Sequence, residues 1–201
     1  SRFLCLSLIK PIAFSPFSNF VLFNILKLTI FQALAIKYIW VSIFNKGDNT
    51  YDETTGIALN NGPGLYLESP DTTSSPEKAT LKVIMDTYAD NRSEIEIDNV
   101  PIKKWVNVII RAQNTVIDVY INGSIAQRVI LEEVPKQNYY NMHVGQNGGF
   151  SGQISNLRYY QKALNIFEIK QILDEGPNLK SDVSTSGYYN YLSNLWYSAN
   201  F

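Results

Sequence analysis

Cysteine and histidine are almost missing from this chain. Cys5 is the only cysteine among 201 residues, so no intrachain disulfide can form and a cysteine-built zinc site is ruled out. His143 is the only histidine, which leaves no His cluster and no Cys–His pair for nucleophilic catalysis. An excess of either charge is missing too: 17 Lys and Arg stand against 18 Asp and Glu, for a net charge of −1. Phosphate binding needs clustered cations, so no nucleic-acid partner is expected. The first acid is Asp48, and Arg2, Lys10, Lys27 and Lys37 are the only charges before Lys46.

That lack of acid marks residues 1–39 off from residues 40–201. Within the first part, Phe17 to Ile36 reads FSNFVLFNILKLTIFQALAI, close to the roughly 20 apolar residues that span a bilayer. Lys27 stands in its middle, where a cation costs about 2.5–3.5 kcal/mol on insertion scales. Three readings stand side by side. The segment supplies the first buried strands, with LKLTIFQ as a candidate; it is a membrane anchor over 17–36; or it is not part of the domain. A membrane partner follows only from the second.

From Trp40 the pattern becomes short strand-like runs with turn punctuation. SIFNK precedes Gly47-Asp48-Asn49, and GLYLE follows Gly62-Pro63. ATLKVIMD and SEIEI flank Tyr88 to Arg92, and KWVNVIIRA and TVIDVYI flank Gln113-Asn114. Asn122-Gly123 joins TVIDVYI to SIAQRVIL, a strong hairpin signal because both residues tolerate positive φ. Ile117, Val119 and Ile121 alternate with Val116, Asp118 and Tyr120, the period of a half-buried strand. MHVGQ and GQISNLRYY continue the series, and YLSNLWYSANF reads as a closing aromatic strand. Many short, evenly spaced strands predict an all-β antiparallel sandwich. One short helix is expected near the C-terminus. Asn165 caps it, Glu168 completes a capping box, Phe167, Ile169, Ile172 and Leu173 form its apolar side, and Gly176-Pro177 ends it.

Trp105 opening a strand, Asp118-Val-Tyr-Ile-Asn-Gly123, Gly152 with Ile154-Ser-Asn-Leu-Arg158, and Ala163-Leu164 leading to Glu168-Ile169 resemble a laminin G-like domain of the concanavalin A-like lectin/glucanase superfamily. IFNKGD at 43–48 and GLYLE at 64–68 extend the likeness upstream, and YLSNLWYS resembles the end of such domains in large DNA viruses. Upstream of Trp40 the likeness stops. The resemblance implies a concanavalin A-like jelly roll of two packed antiparallel sheets. It also implies ligands held by edge loops or on a concave face. Family members bind glycans or proteins, some through calcium, and others are glycosidases, so fold alone does not choose among them.

The candidate chemistry is sparse. Glu94, Glu96 and Asp98 alternate along one strand face, about 6.6–7 Å per step. Retaining glycosidases hold two carboxyls about 5–5.5 Å apart. Some glucanases of the superfamily carry a Glu-x-Asp-x-x-Glu strand, but here Glu96 takes the middle place and Asn99 follows. The row is read as a solvated face with Ile95 and Ile97 toward the core, and no catalysis is expected. Asp48 and Asp52, with Asn49 and Glu53, are weak calcium candidates in a loop that does not match an EF-hand. Otherwise no cofactor is expected. Asn138, Tyr139, Tyr140 and Asn147, with Asn61 and Tyr66 near another loop, are ligand-binding candidates that suit a sugar or a protein surface. His143 is read as structural. Asn91-Arg-Ser93 and Asn122-Gly-Ser124 match the glycosylation sequon, which matters only in a secretory pathway. The function expected is a non-catalytic module that displays loops for protein assembly or attachment on a virion or extracellular surface. The alternative is a carbohydrate-binding module.

Overall fold

A computed structural model describes residues 20–28, 38–68, 78–88, 91–136 and 138–178. Ten strands and one helix follow one another along them. They are β1 (Phe20–Leu28), β2 (Trp40–Lys46), β3 (Gly64–Glu68), β4 (Lys78–Asp86), β5 (Arg92–Pro101), β6 (Trp105–Gln113), β7 (Val116–Ile121), β8 (Ser124–Ile130), β9 (Met142–Val144), β10 (Gly152–Tyr160) and α1 (Ile166–Glu175). They build two antiparallel five-stranded sheets, ordered β10-β1-β6-β7-β8 and β5-β4-β3-β2-β9. The sandwich is therefore as expected. The closing YLSNLWYSANF lies outside the described residues.

The sheets meet through residues that alternate along each strand. Leu81, Val83 and Met85 of β4 and Ile95 and Ile97 of β5 face Val108, Ile110, Ile117 and Val119 of the other sheet across one core. Each such side chain contributes about 1.5–3 kcal/mol of burial. β1 takes nine residues of the apolar 17–36 stretch and inserts between β6 and β10, with Phe23 opposite both Ile109 and Arg158. The strand thus starts upstream of LKLTIFQ and shares only Leu26–Leu28 with it. Among the described residues no helix is long and apolar enough to cross a membrane.

The β7 reading needs one correction. Ile117 and Val119 face the core as expected, but Asp118 and Tyr120 are also buried, so the strand is covered on both faces. The cover is α1, whose Ile169 and Ile172 pack with Leu164 onto Ile109 and Tyr120. The capping box is present: Asn165 accepts from the Glu168 amide at 2.9 Å and Glu168 accepts from the Asn165 amide at 2.8 Å. Phe167 departs from its expected place, being 84% exposed. At 100° per residue it points about 160° away from Ile169, so it cannot share that buried stripe. Gly123 closes the β7–β8 hairpin at φ 81°, and a Cβ there would stand 2.4 Å from the Leu173 side chain, which makes the turn and the helix packing one requirement.

Candidate functional site

Three loops gather at one end of the sheet that contains β2. The loop after β2 returns to β3 through the cis Gly62–Pro63 bond, the Lys46 amide donating to Pro63 and the Gly62 amide to Lys46. The β4–β5 loop joins it through the Asp86 amide, which donates to Asn61. The segment after β8 joins both, since Lys136 donates to the Asp86 carbonyl and Tyr88 to that of Val134.

Asn61 and Tyr66 lie inside this assembly. The Tyr66 hydroxyl donates to Asn61 Oδ1 and accepts from the Ala58 amide at 3.1 Å, while Asn61 Nδ2 donates to the Ala58 carbonyl at 2.7 Å. Tyr66 packs with Trp40, Ile57 and Ile84 under the loop. Fully buried, neither residue offers a face to a ligand, so both act as the loop's frame rather than its contact surface. Arg92 extends that frame by bonding Asp86 and the carbonyls of Ala58 and Leu59.

Asn138 braces the loop that carries the tyrosines. Its amide nitrogen donates to the Lys46 carbonyl and to Asn60 Oδ1, and its Oδ1 accepts from the Tyr140 amide. Lys46 reaches up from the end of β2 and donates from Nζ to the carbonyls of Asn138 and Tyr140, both at 2.7 Å. Burial brings its ammonium down to about 8. Tyr139 and Tyr140 project outward from this clamp, 65% and 55% exposed, and Leu59, Tyr88, Val134 and Val144 are exposed on the adjoining segments. Asn147 is exposed in the turn after β9 at φ 55°, beside Gln146, whose amide donates to Asn49 Oδ1 at 2.8 Å. Five of the six candidates therefore share the loop end, Tyr139 and Tyr140 on the outside and Asn61, Tyr66 and Asn138 in its frame. Asn138 belongs with the frame chemically, while its neighbours Tyr139 and Tyr140 supply the surface.

Asp48 and Asp52 serve their own turns. One Asp52 oxygen accepts from the Thr54 amide, the Thr54 hydroxyl and the Thr55 amide, led by the hydroxyl, and these bonds hold the carboxyl far below its usual range. The Thr50 hydroxyl, then the Asn49 amide, lowers Asp48 in the same way. No group of three or more His, Cys, Asp or Glu converges as a metal site among the described residues.

The acidic row of β5 lies on the outer face, with Ile95 and Ile97 in the core. Lys82 of β4, directly opposite Glu96, bonds Glu94 at 2.8 Å and Glu96 at 2.9 Å. Its Nζ also sits 4.2 Å from the centre of the Trp40 ring. Burial works against the Lys82 charge, but the bonds to Glu94 and Glu96 outweigh it and raise the ammonium above its usual value. Both carboxylates thus share one cation, and Asp98 bonds Thr80 instead.

Sequence reasoning missed Lys46, Lys82 and the triad Asp118, Arg111 and Arg128. Buried Asp118 takes Arg128 through both oxygens and Arg111 at 3.0 Å. Arg111 also donates to the Leu164 carbonyl, tying the approach to α1 to the sheet. The signal for the triad was readable once the hairpin was in register, because Asp118 lies opposite Arg111 on one side and Arg128 on the other.

The laminin G-type profile of the concanavalin A-like lectin/glucanases superfamily matches residues 38–170. No curated protein matches the chain. Among solved structures, the chain is similar to a heptameric SAP-like pentraxin from Limulus polyphemus. The TM-score is 0.52 at 14% identity, over 78% of this chain and 70% of that one. It is similar to the binding domain of botulinum neurotoxin DC in complex with rat synaptotagmin II, with a TM-score of 0.54 at 13% identity, over 79% of this chain and 36% of that one. A third likeness is to the CBM40 of the Ruminococcus gnavus IT-sialidase bound to α2,3-sialyllactose, with a TM-score of 0.51 at 12% identity, over 78% and 83%. At these identities the likeness is one of fold.

Proposed function

Because the chain belongs to the concanavalin A-like lectin/glucanases superfamily, we propose that it is a non-catalytic binding module whose contact surface is the loop end carrying Tyr139 and Tyr140. The observation that carries this reading is the Lys46–Asn138 clamp, which holds two adjacent, outward-facing tyrosines on a braced backbone. Rigid tyrosines give large contact area at low entropy cost. On the outer face of β5, Glu94 and Glu96 are instead tied to one ammonium, that of Lys82, which favours a structural role for them over acid–base chemistry.

A protein surface is the preferred ligand, in the role of assembly or attachment. Sugar recognition needs amides for the hydroxyls, and of the amides in the loop's frame, Asn61 is buried and Asn138 is engaged by Lys46, Asn60 and Tyr140, which leaves exposed Asn141, next after Tyr140. The segments that meet at this end also expose the large apolar side chains of Leu59, Tyr88, Val134 and Val144, which suit a protein contact. A glycan is the second reading. It is favoured by the structures of similar fold bound to sialyllactose and, for the same binding domain of botulinum neurotoxin DC, to SialylT. The setting we propose is an extracellular or particle surface, in keeping with the resemblance to domains of large DNA viruses. The anchor reading of residues 17–36 is set aside in this proposal, because β1 occupies their middle as a paired strand.

Labelled chain is applied to a panel of cells and particles, untreated, protease-treated or glycosidase-treated, each with and without added calcium. Signal lost to protease and kept after glycosidase, independent of calcium, is the result expected. Signal lost to glycosidase alone selects the glycan reading. Absence of binding to every surface overturns both.

A further inference from the structure

We propose that Asn147-Gly148 is a self-modifying site: its asparagine converts to aspartate and isoaspartate in the folded chain, while the Asn-Gly pairs at Asn61-Gly62 and Asn122-Gly123 are held intact by the fold. The step needs only water. The Gly148 nitrogen gives its proton to solvent and bonds to Cγ of Asn147, and Nδ2 leaves as ammonia. Water then opens the cyclic imide at either carbonyl. Opening at Cγ gives aspartate. Opening at the backbone carbonyl gives isoaspartate, whose main chain runs through Cγ and is one methylene longer. Each route adds one carboxylate to the chain.

The dipeptide is the same at all three places, so its surroundings decide. Attack needs a free asparagine side chain, a glycine amide that can leave its partner, and a backbone that can leave the turn. Asn61 is 1% exposed, and its amide is bonded at both ends, to Ala58 and to Tyr66. The Gly62 amide donates to the Lys46 carbonyl at 2.7 Å. Asn122 is exposed, but its Oδ1 accepts from the Asn107 amide at 2.9 Å and its own amide donates to the Asn107 carbonyl at 2.9 Å. Gly123 stands against Leu173, so that turn opens only with the β7–β8 hairpin and α1. An opening that drags paired strands with it costs far more than the fraying of an exposed turn.

Asn147 and Gly148 are both exposed, and no hydrogen bond among the described residues holds the Asn147 side chain. A Cβ built on Gly148 would meet nothing within 4 Å. The turn is closed by the Gly149 amide, which donates to the Gln146 carbonyl at 2.9 Å, and Gly148 and Gly149 leave their positive φ at little cost. Gln146 in turn ties this segment to Asn49, the neighbour of Asp48, at 2.8 Å. The longer backbone of isoaspartate moves Gly149 off the Gln146 carbonyl and loosens that tie.

The test is incubation of the full chain in mildly alkaline buffer, folded and in urea, followed by digestion with an acid protease and mass mapping of the three peptides. In the folded chain the mass gain of amide to acid should run at least tenfold faster at Asn147 than at Asn61 or Asn122. In urea the three rates should draw together, because the dipeptide is shared. Hydrogen exchange at Gly149 should be faster in the aged chain than in the fresh one. It should stay slow in Asn147→Asp, which adds the charge without the methylene. Conversion at Asn61 or Asn122 as fast as at Asn147 in the folded chain overturns the proposal. So does a folded chain that keeps all three asparagines while the urea sample converts. An unchanged Gly149 in the aged chain, or a fast one in Asn147→Asp, overturns the loosening by the longer backbone.

Discussion

Lys46 and Asn138 hold each other from both ends: the Lys46 ammonium donates to the Asn138 carbonyl at 2.7 Å, and the Asn138 amide donates back to the Lys46 carbonyl at 2.9 Å. The pair fixes a loop to a strand across 92 positions of sequence. Lys46→Met removes both carbonyl bonds while keeping most of the stem. Each carbonyl left without a partner costs about 1–3 kcal/mol, so a loss of that order in unfolding free energy is expected by urea titration. Asn138→Ala should fall in the same range. An unchanged midpoint in both variants would mean that the clamp does not hold the loop.

The same lysine gives stability a pH signature. Burial lowers its folded value to about 8 from the usual 10.5. Below pH 8 the folded and unfolded chains both carry the proton. Between 8 and 10.5 the folded chain has released it and the unfolded chain has not, so the unfolded state binds more protons and stability rises with pH. The difference in unfolding free energy between the parent chain and Lys46→Met should therefore shift in favour of the parent across that window. A flat difference from pH 7 to 11 would contradict the burial.

Asp118 acts on the acid side. Burial alone would push its carboxyl up, but the bond and charge of Arg128, then those of Arg111, hold it below the usual carboxylate range. A depressed carboxylate adds stability that is present above its unfolded value and fades as pH falls through the folded one. Asp118→Asn leaves Arg111 partly buried without its counter-charge, and breaking such a pair costs about 3–5 kcal/mol. Thermal melts at pH 7 should show the full loss, and the gap between parent and variant should narrow as pH falls below 4.

The Lys82 bridge makes a statement about chemistry. With Glu94 and Glu96 on one ammonium, the chain is expected to release no reducing sugar from β-glucans, and Glu94→Gln should leave surface binding unchanged. Measurable hydrolysis that Glu94→Gln abolishes would reverse the assignment.

Local signals were the readable ones. Asn122-Gly123 announced the β7–β8 turn because its requirement for positive φ is met within two residues, and Asn165 with Glu168 announced the start of α1 for the same reason. Phe167 was misplaced because an apolar residue near a stripe is not on it, and helix geometry decides. Asn61 and Tyr66 looked like loop surface because they flank Gly62-Pro63. Their burial comes from Ala58, Asp86 and Ile84, which only the folded sheet brings over them. Lys46 gave no signal for the same reason: its partners, the carbonyls of Asn138 and Tyr140, lie 92 and 94 positions away in sequence.

The measurement that tests the loop-end account most directly is surface binding by Tyr139→Ala/Tyr140→Ala beside the parent chain. Both side chains are more exposed than buried, so melting temperature should hold while apparent affinity falls at least tenfold, about 1.4 kcal/mol. Equal binding by the two proteins would place the contact surface elsewhere on the sandwich.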